Sequence, residues 1–217
     1  MRKIFTEEEK DTNQQETNLD TESPKILLPN DYFNYPNTFG QEGEDHFNIS
    51  VYSRVLAGKV FAPEFHQTIS YPGIGRFYSV FSLWIWLCWA EQSDEIRNLD
   101  SKKLKIKLKY YKRTTKSRFI PNFKCIIGYA TWLKISNNKK FVDEIMNLDD
   151  NLKPFYYAET TQKIRIARAR SDWFIPIVIE IIDAIKNQRE PSFIQWATHP
   201  SAIGDAYLEG FLKEKNW

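Results

Sequence analysis

Between Ser79 and Trp89 almost every position is apolar: Val80, Phe81, Leu83, Trp84, Ile85, Trp86, Leu87 and Cys88 are interrupted only by Ser82. Leu83, Trp84, Leu87 and Cys88 recur at helical spacing, while Phe81, Ile85, Trp86 and Trp89 fill the other faces. A helix apolar all round belongs in a protein interior or a bilayer, and this run stops well short of the ~20 residues of a membrane span. It predicts a core helix with Ser79 as N-cap, the hydroxyl accepting a bond from a first-turn amide. Phe123, Ile126, Ile127, Ala130 and Leu133–Lys134 predict a second helix up to Ile135. Asn137 and Asn138 break it, and Phe141, Ile145 and Leu148 begin a short third one. The clearest stripe is Phe174, Ile177, Val178, Ile181, Ile182 and Ile185, capped by Ser171 or Asp172, with Pro176 accommodated in the first turn.

Strand signals are shorter. Phe47, Ile49 and Val51 alternate, and Val60–Phe61 suggests a short strand inside the otherwise irregular stretch 54–75. Residues 102–111 support two readings. Leu104, Ile106, Leu108 and Tyr110 alternate with Lys103, Lys105, Lys107 and Lys109, which favours a half-exposed strand. Leu104, Leu108 and Tyr111 also share a helical face, so a helix stays open. No internal repeat occurs. The expected class is α+β: a mainly helical single domain with a small sheet.

At 217 residues the chain is long enough for a full-sized core, and an aromatic content of 15% means that large rings fill it. Residues 1–25 are rich in Glu, Gln, Thr and Asn and predict a disordered or loose arm. Pro24, Pro29 and Pro36, with tyrosines and phenylalanines between them, predict an extended segment laid over the domain. The divisions expected are an acidic arm over 1–46, a folded domain over 47–190 and a C-terminal extension over 191–217.

The net charge of +2 conceals a division: residues 1–47 carry four basic and eleven acidic side chains, a net of −7, which leaves +9 for the rest. Ten basic residues and no acidic one fall between Lys102 and Lys124, with Tyr110 and Tyr111 interleaved. Single-strand nucleic-acid surfaces combine cations and aromatic rings in this way, and a basic strand edge that discourages aggregation has a similar composition. Lys105, Lys107, Lys109, Lys112 and Arg113 are the candidate contacts. Lys163, Arg165, Arg168 and Arg170 form a second basic run.

Cys88 and Cys125 both lie in apolar runs, and no apolar signal segment opens the chain, so reduced thiols in a cytoplasmic protein are expected. Three scattered histidines and no Cys-x-x-Cys argue against structural zinc. Phosphate-loop, dinucleotide and nucleophile-elbow motifs are missing, and no cofactor is called for. The candidate ligand site is the entrance to the tryptophan-rich helix. There the amides and dipole of the helix would seat a phosphate, and Arg76 would add a fork of donors. Tyr78 or Trp84 would stack on a base, with Ser79 and Lys102 beside them. Glu64, between Pro63 and Phe65, is the carboxylate expected to face a pocket.

The order of segments resembles the NADAR superfamily, in particular its branch in large phages and bacteria. The matching pieces are Val51-Tyr52-Ser53, Ala62-Pro63-Glu64-Phe65, Phe77-Tyr78-Ser79-Val80-Phe81 leading to Leu83-Trp84-Ile85-Trp86-Leu87, Asn137 to Leu148, Lys153-Pro154-Phe155-Tyr156-Tyr157 and Asp172-Trp173-Phe174-Ile175. The likeness spans about 48–187. It implies an α+β fold and hydrolysis of N-glycosidic bonds, including removal of ADP-ribose from nucleobases, by a glutamate in a Phe-x-Ser-x-Glu motif. Phe81 occupies that glutamate's position here and cannot do acid–base work. The resemblance then leaves two outcomes: Glu64 takes over the role, or the fold binds an ADP-ribose or nucleotide-like ligand without cleaving it. The alternative is a non-catalytic module that binds nucleic acid or protein through 102–124. The oligomeric state stays open.

Overall fold

The computed structural model describes residues 42–89, 93–114, 116–117, 120, 122–159, 164–166 and 168–198. In chain order these form β1 (His46–Asn48), α1 (Leu56–Phe61), β2 (Ile69–Tyr71), β3 (Gly75–Phe77), α2 (Val80–Cys88), α3 (Asp94–Arg97) and α4 (Ser101–Thr114). There follow α5 (Phe123–Ser136), α6 (Lys139–Met146), β4 (Lys153–Phe155), β5 (Tyr157–Glu159), β6 (Ile164–Ile166), α7 (Arg168–Lys186) and α8 (Ile194–Thr198). The class is α+β with helices dominant, as the periodicities predict. In place of one small sheet, the described strands form three separate pairs: parallel β1–β4, antiparallel β2–β3 and antiparallel β5–β6. Each strand is three residues long, and helices supply most of the buried core.

The tryptophan-rich helix is α2, and Ser79 caps it as expected. The Ser79 hydroxyl accepts from the Ser82 amide at 3.2 Å, while the Ser82 hydroxyl accepts from the Ser79 amide at 3.0 Å and donates to the Ser79 carbonyl at 2.7 Å. This reciprocal box satisfies two otherwise orphaned donors. Val80, Phe81, Leu83, Ile85, Trp86 and Leu87 are all buried, so the helix is apolar all round because the core surrounds it. It packs on α5, which also meets α6, α7 and α8 and lies at the centre of the core.

Two expectations from local pattern are overturned, and the choice left open over 102–111 is decided. Val60 and Phe61 belong to helix α1, where Ala57, Val60 and Phe61 bury at i, i+3 and i+4 spacing. Gly58 sits where the helix meets the end of β1: an added Cβ would lie 2.2 Å from the Asn48 carbonyl oxygen and 2.3 Å from the Ser53 hydroxyl. The alternating Lys-Leu-Lys-Ile segment is helix α4, not a strand. Leu104 is fully buried, with Leu108 and Tyr111 half-buried against the core on the same face. Asp100 starts it, its carboxylate accepting the Lys103 amide at 2.9 Å and its carbonyl the Leu104 amide at 2.9 Å. Finally, α7 begins at Arg168, so Ser171 and Asp172 lie within it and Pro176 is an interior residue. The proline removes one helical donor there, and it is buried, as are Phe174, Ile175, Ile177 and Val178.

The core also runs past residue 190. Phe193 and Ala197 are buried, and Phe193 lies on Gly128 of α5, where an added Cβ would come within 3.0 Å of its ring. Arg189, bonded to Glu180 at 2.8 Å, helps turn the chain back towards α5. The first part of the supposed extension is thus part of the domain. The arm over 1–41, the stretch 199–217 and Lys163 lie outside the described residues, as do the side chains of Arg165, Arg168 and Arg170.

Candidate functional site

The entrance to α2 is closed by the protein itself. Ser79 is fully buried. The Phe81 amide donates to the Pro63 carbonyl at 2.9 Å, and the Ser82 amide is taken by the cap. Two of the amides expected to seat a phosphate are therefore spent on internal partners, and Ser79 acts as a cap. Phe81, at the position of the family glutamate, is buried in the core. Trp84 is half-buried in a cluster of rings, its centroid 5.3 Å from Phe123 and 5.4 Å from Trp173 in edge-on geometry.

What the fold does bring together lies around the turn that follows α1. The Glu64 carbonyl accepts the Ser101 hydroxyl at 2.7 Å, which fixes the turn to the first residue of α4. On its other side the turn meets α5: the Lys134 ammonium donates to the Ala62 carbonyl at 3.0 Å. Lys134 is only 1% exposed. Burial in this apolar setting pushes its pKa down to about 7, and the charge of Glu64 acts in the opposite direction. His66 and Tyr78 stack with centroids 3.8 Å apart and planes 11° from parallel, and the Tyr78 amide donates to the Arg97 carbonyl at 2.7 Å. Arg76 is exposed on β3, opposite Ser70. Glu64 thus lies beside Lys134 and Tyr78 against His66, while Lys102 follows the residue that bonds the Glu64 carbonyl. Ser79 and Trp84 are held by the core.

Arg97 and Lys134 were not among the candidate residues. The Arg97 guanidinium lies 4.8 Å from the Phe77 ring centroid and 4.7 Å from that of Trp86, pairs with Asp94 at 2.7 Å and donates to the Ile74 carbonyl. It ties the β2–β3 hairpin to α2, a binding role within the fold that pattern reading assigned to no residue. Lys134 did carry a signal, since Ile127, Thr131 and Lys134 repeat on one helical face and all three are buried.

The second candidate region is carried by α4. Once α4 is a helix, its cations are sorted by angle. Lys107 is drawn to the flank and pairs with Glu95 at 2.9 Å, a bond that raises its pKa above the usual lysine range. Lys112 sits over the Trp89 ring at 5.8 Å. Lys102, Lys105, Lys109 and Arg113 are exposed and have no carboxylate partner among the described residues. Ile106 and Tyr110, 64% and 61% exposed, lie among them. At 100° per residue, Lys102, Ile106, Lys109, Tyr110 and Arg113 fall opposite the buried Leu104. The outward face of α4 is a row of cations with two apolar side chains set into it.

A groove of about 450 Å³ opens elsewhere, between α5, α6 and the end of α7, lined by Trp132, Val142, Met146, Ile185 and Arg189 among others. No predicted site residue lines it. Among the described residues no group of three or more His, Cys, Asp or Glu side chains could hold a metal ion, and no helix is long and apolar enough to cross a membrane. Cys88 and Cys125 are free thiols, with burial raising the pKa of Cys88 to about 12.

No protein-family model, curated protein or solved structure matches the chain. The likeness to the NADAR superfamily stands on the sequence motifs alone.

Proposed function

We propose that this domain binds single-stranded nucleic acid along the outward face of α4. The observation that carries the reading is the row of Lys102, Lys109 and Arg113, with Lys105 at its edge, all without carboxylate partners among the described residues and accompanied by exposed Ile106 and Tyr110. Cations would follow the phosphates, and Tyr110 would offer its ring to a base, the combination that single-strand binders use. As a helix, α4 turns Leu104, Leu108 and Tyr111 towards the core and leaves Lys102, Lys109 and Arg113 on the opposite side, with Lys105 at the edge of that face. The test is fluorescence anisotropy with a labelled 20-nucleotide strand. Lys105→Glu with Lys109→Glu should weaken binding at least tenfold, and Tyr110→Ala severalfold. Equal affinity in all three proteins would refute it.

A second reading is supported by the turn at Glu64. In it the domain acts as a NADAR-like N-glycosidic hydrolase on an ADP-ribose or nucleotide-like group. Glu64 would orient water or stabilise the positive charge that develops on the ribose as the base leaves. Lys134 would hold the turn from beneath, and Tyr78, Arg76 and Lys102 would meet the ligand. The two readings combine readily, since the Glu64 turn is bonded to the first residue of α4. Release of ADP-ribose from a modified strand, lost in Glu64→Gln, is the expected result. Undiminished release by Glu64→Gln would remove Glu64 from the chemistry. A cytoplasmic location accords with the two free thiols.

A further inference from the structure

We propose that the acidic stretch Glu7–Glu22 of this chain docks on the outward face of α4 and competes there with nucleic acid. The inhibitory part rests on the nucleic-acid reading of α4; the docking itself does not.

The surface and the segment are complementary in charge. Helix α4 carries seven basic residues and no acidic one, and five of the seven lack a carboxylate partner among the described residues, Lys112 lying instead over the Trp89 ring. Residues 7–22 carry seven acidic side chains and one lysine, a net of −6, and Glu7-Glu8-Glu9-Lys10-Asp11 is the densest acidic run of the chain. α4 already accepts two carboxylates of this protein: Asp100 pairs with Lys103 at 3.7 Å, and Glu95 of α3 bonds Lys107 on the flank. That pair shows the geometry the outward lysines would repeat with side chains from the arm.

The tether permits it. The described chain begins at Glu42, which is itself fixed: its carboxylate accepts the amides of Asn48 at 2.8 Å and Arg54 at 3.0 Å and bonds the Ser53 hydroxyl. From there to Glu22 there are twenty residues, which can span up to ~70 Å at 3.3–3.6 Å per residue. A domain of this size is only ~40 Å across, so the acidic stretch reaches any point of its surface. A short tether holds such a segment at an effective concentration in the millimolar range, where weak, multiple charge pairs suffice for occupancy. If the arm covers α4 in nine molecules out of ten, the apparent affinity for a strand falls about tenfold.

The experiment uses full-length chains. The first variant carries Glu7→Gln, Glu8→Gln, Glu9→Gln and Asp11→Asn. A control removes four acidic charges from α6 and the turn after it, with Asp143→Asn, Glu144→Gln, Asp149→Asn and Asp150→Asn. Affinity for a labelled 20-nucleotide oligothymidylate is measured at low salt, and dilute wild-type protein is treated with a carbodiimide, which joins touching carboxylates and amines. The proposal predicts about tenfold tighter binding by the arm variant and a clearly smaller change in the control. It also predicts cross-links from residues 7–22 to Lys102, Lys105 or Lys109. Equal changes in the two variants, or no such cross-links, would overturn it. Cross-links without strand binding by any of the proteins would support the docking and refute the nucleic-acid reading of α4.

Discussion

Lys134→Met gives the most direct reading of the buried amine beneath the Glu64 turn. In the folded chain burial holds the lysine's pKa near 7, against an ordinary value of 10.5. Below pH 7 both folded and unfolded chains carry the proton, and the full desolvation cost falls on the fold. Between pH 7 and 10.5 the folded chain releases a proton that the unfolded chain retains, so stability rises with pH across that window. One such group contributes up to ~1.4 kcal/mol per pH unit, or roughly 2.5 kcal/mol between pH 6 and 9. Methionine fills similar space without a charge, and it leaves the Ala62 carbonyl without this donor, a loss of ~1–3 kcal/mol that does not vary with pH. Urea unfolding of both proteins at pH 6, 7, 8 and 9 should show the wild type gaining on the variant by roughly 2.5 kcal/mol from the lowest pH to the highest. Taking the difference removes every other titrating group, Cys88 included. Parallel profiles would refute the assignment of a buried, titrating amine to Lys134.

Two further substitutions test the packing that positions the site. Gly58→Ala sets a methyl group against the Asn48 backbone and should destabilise the domain by ~3 kcal/mol or more, seen as a fall of several degrees or more in Tm; an unchanged Tm would contradict the close approach of α1 to β1. Ser79→Ala removes the side-chain half of the capping box and should cost about 1–2 kcal/mol in chemical unfolding without altering strand affinity. A loss of affinity in a folded Ser79→Ala protein would restore Ser79 to the ligand site.

The helices were legible where a buried stripe and a stop signal agreed. Ser79, the Asn137–Asn138 break and the Phe174–Ile185 stripe all pointed to elements that exist. Local pattern left the choice open where one sequence fits two periods. Lys-Leu-Lys-Ile-Lys-Leu-Lys alternates perfectly, yet only Leu104, Leu108 and Tyr111 meet the core, and the cap supplied by Asp100 starts a helix. Val60–Phe61 is too short a run to reveal its period, and the close approach that demands Gly58 is a tertiary fact. The site was harder to read for the same reason. Whether Ser79 is open or sealed depends on the Pro63 carbonyl sixteen residues earlier, and Arg97 earns its place only by folding back between Phe77 and Trp86. The basic run needed no such information, because charge density is visible in any conformation; only its sorting into outward and flanking cations required the helix.

The salt dependence of strand binding tests the central claim most directly. Four unpaired cations on α4 that each neutralise one phosphate predict that log Kobs falls with log salt with a slope of about −2.8 for a single strand. Lys105→Gln with Lys109→Gln should reduce that slope to about −1.4. A wild-type slope near zero, or an identical slope in the variant, would contradict the assignment of nucleic-acid binding to α4.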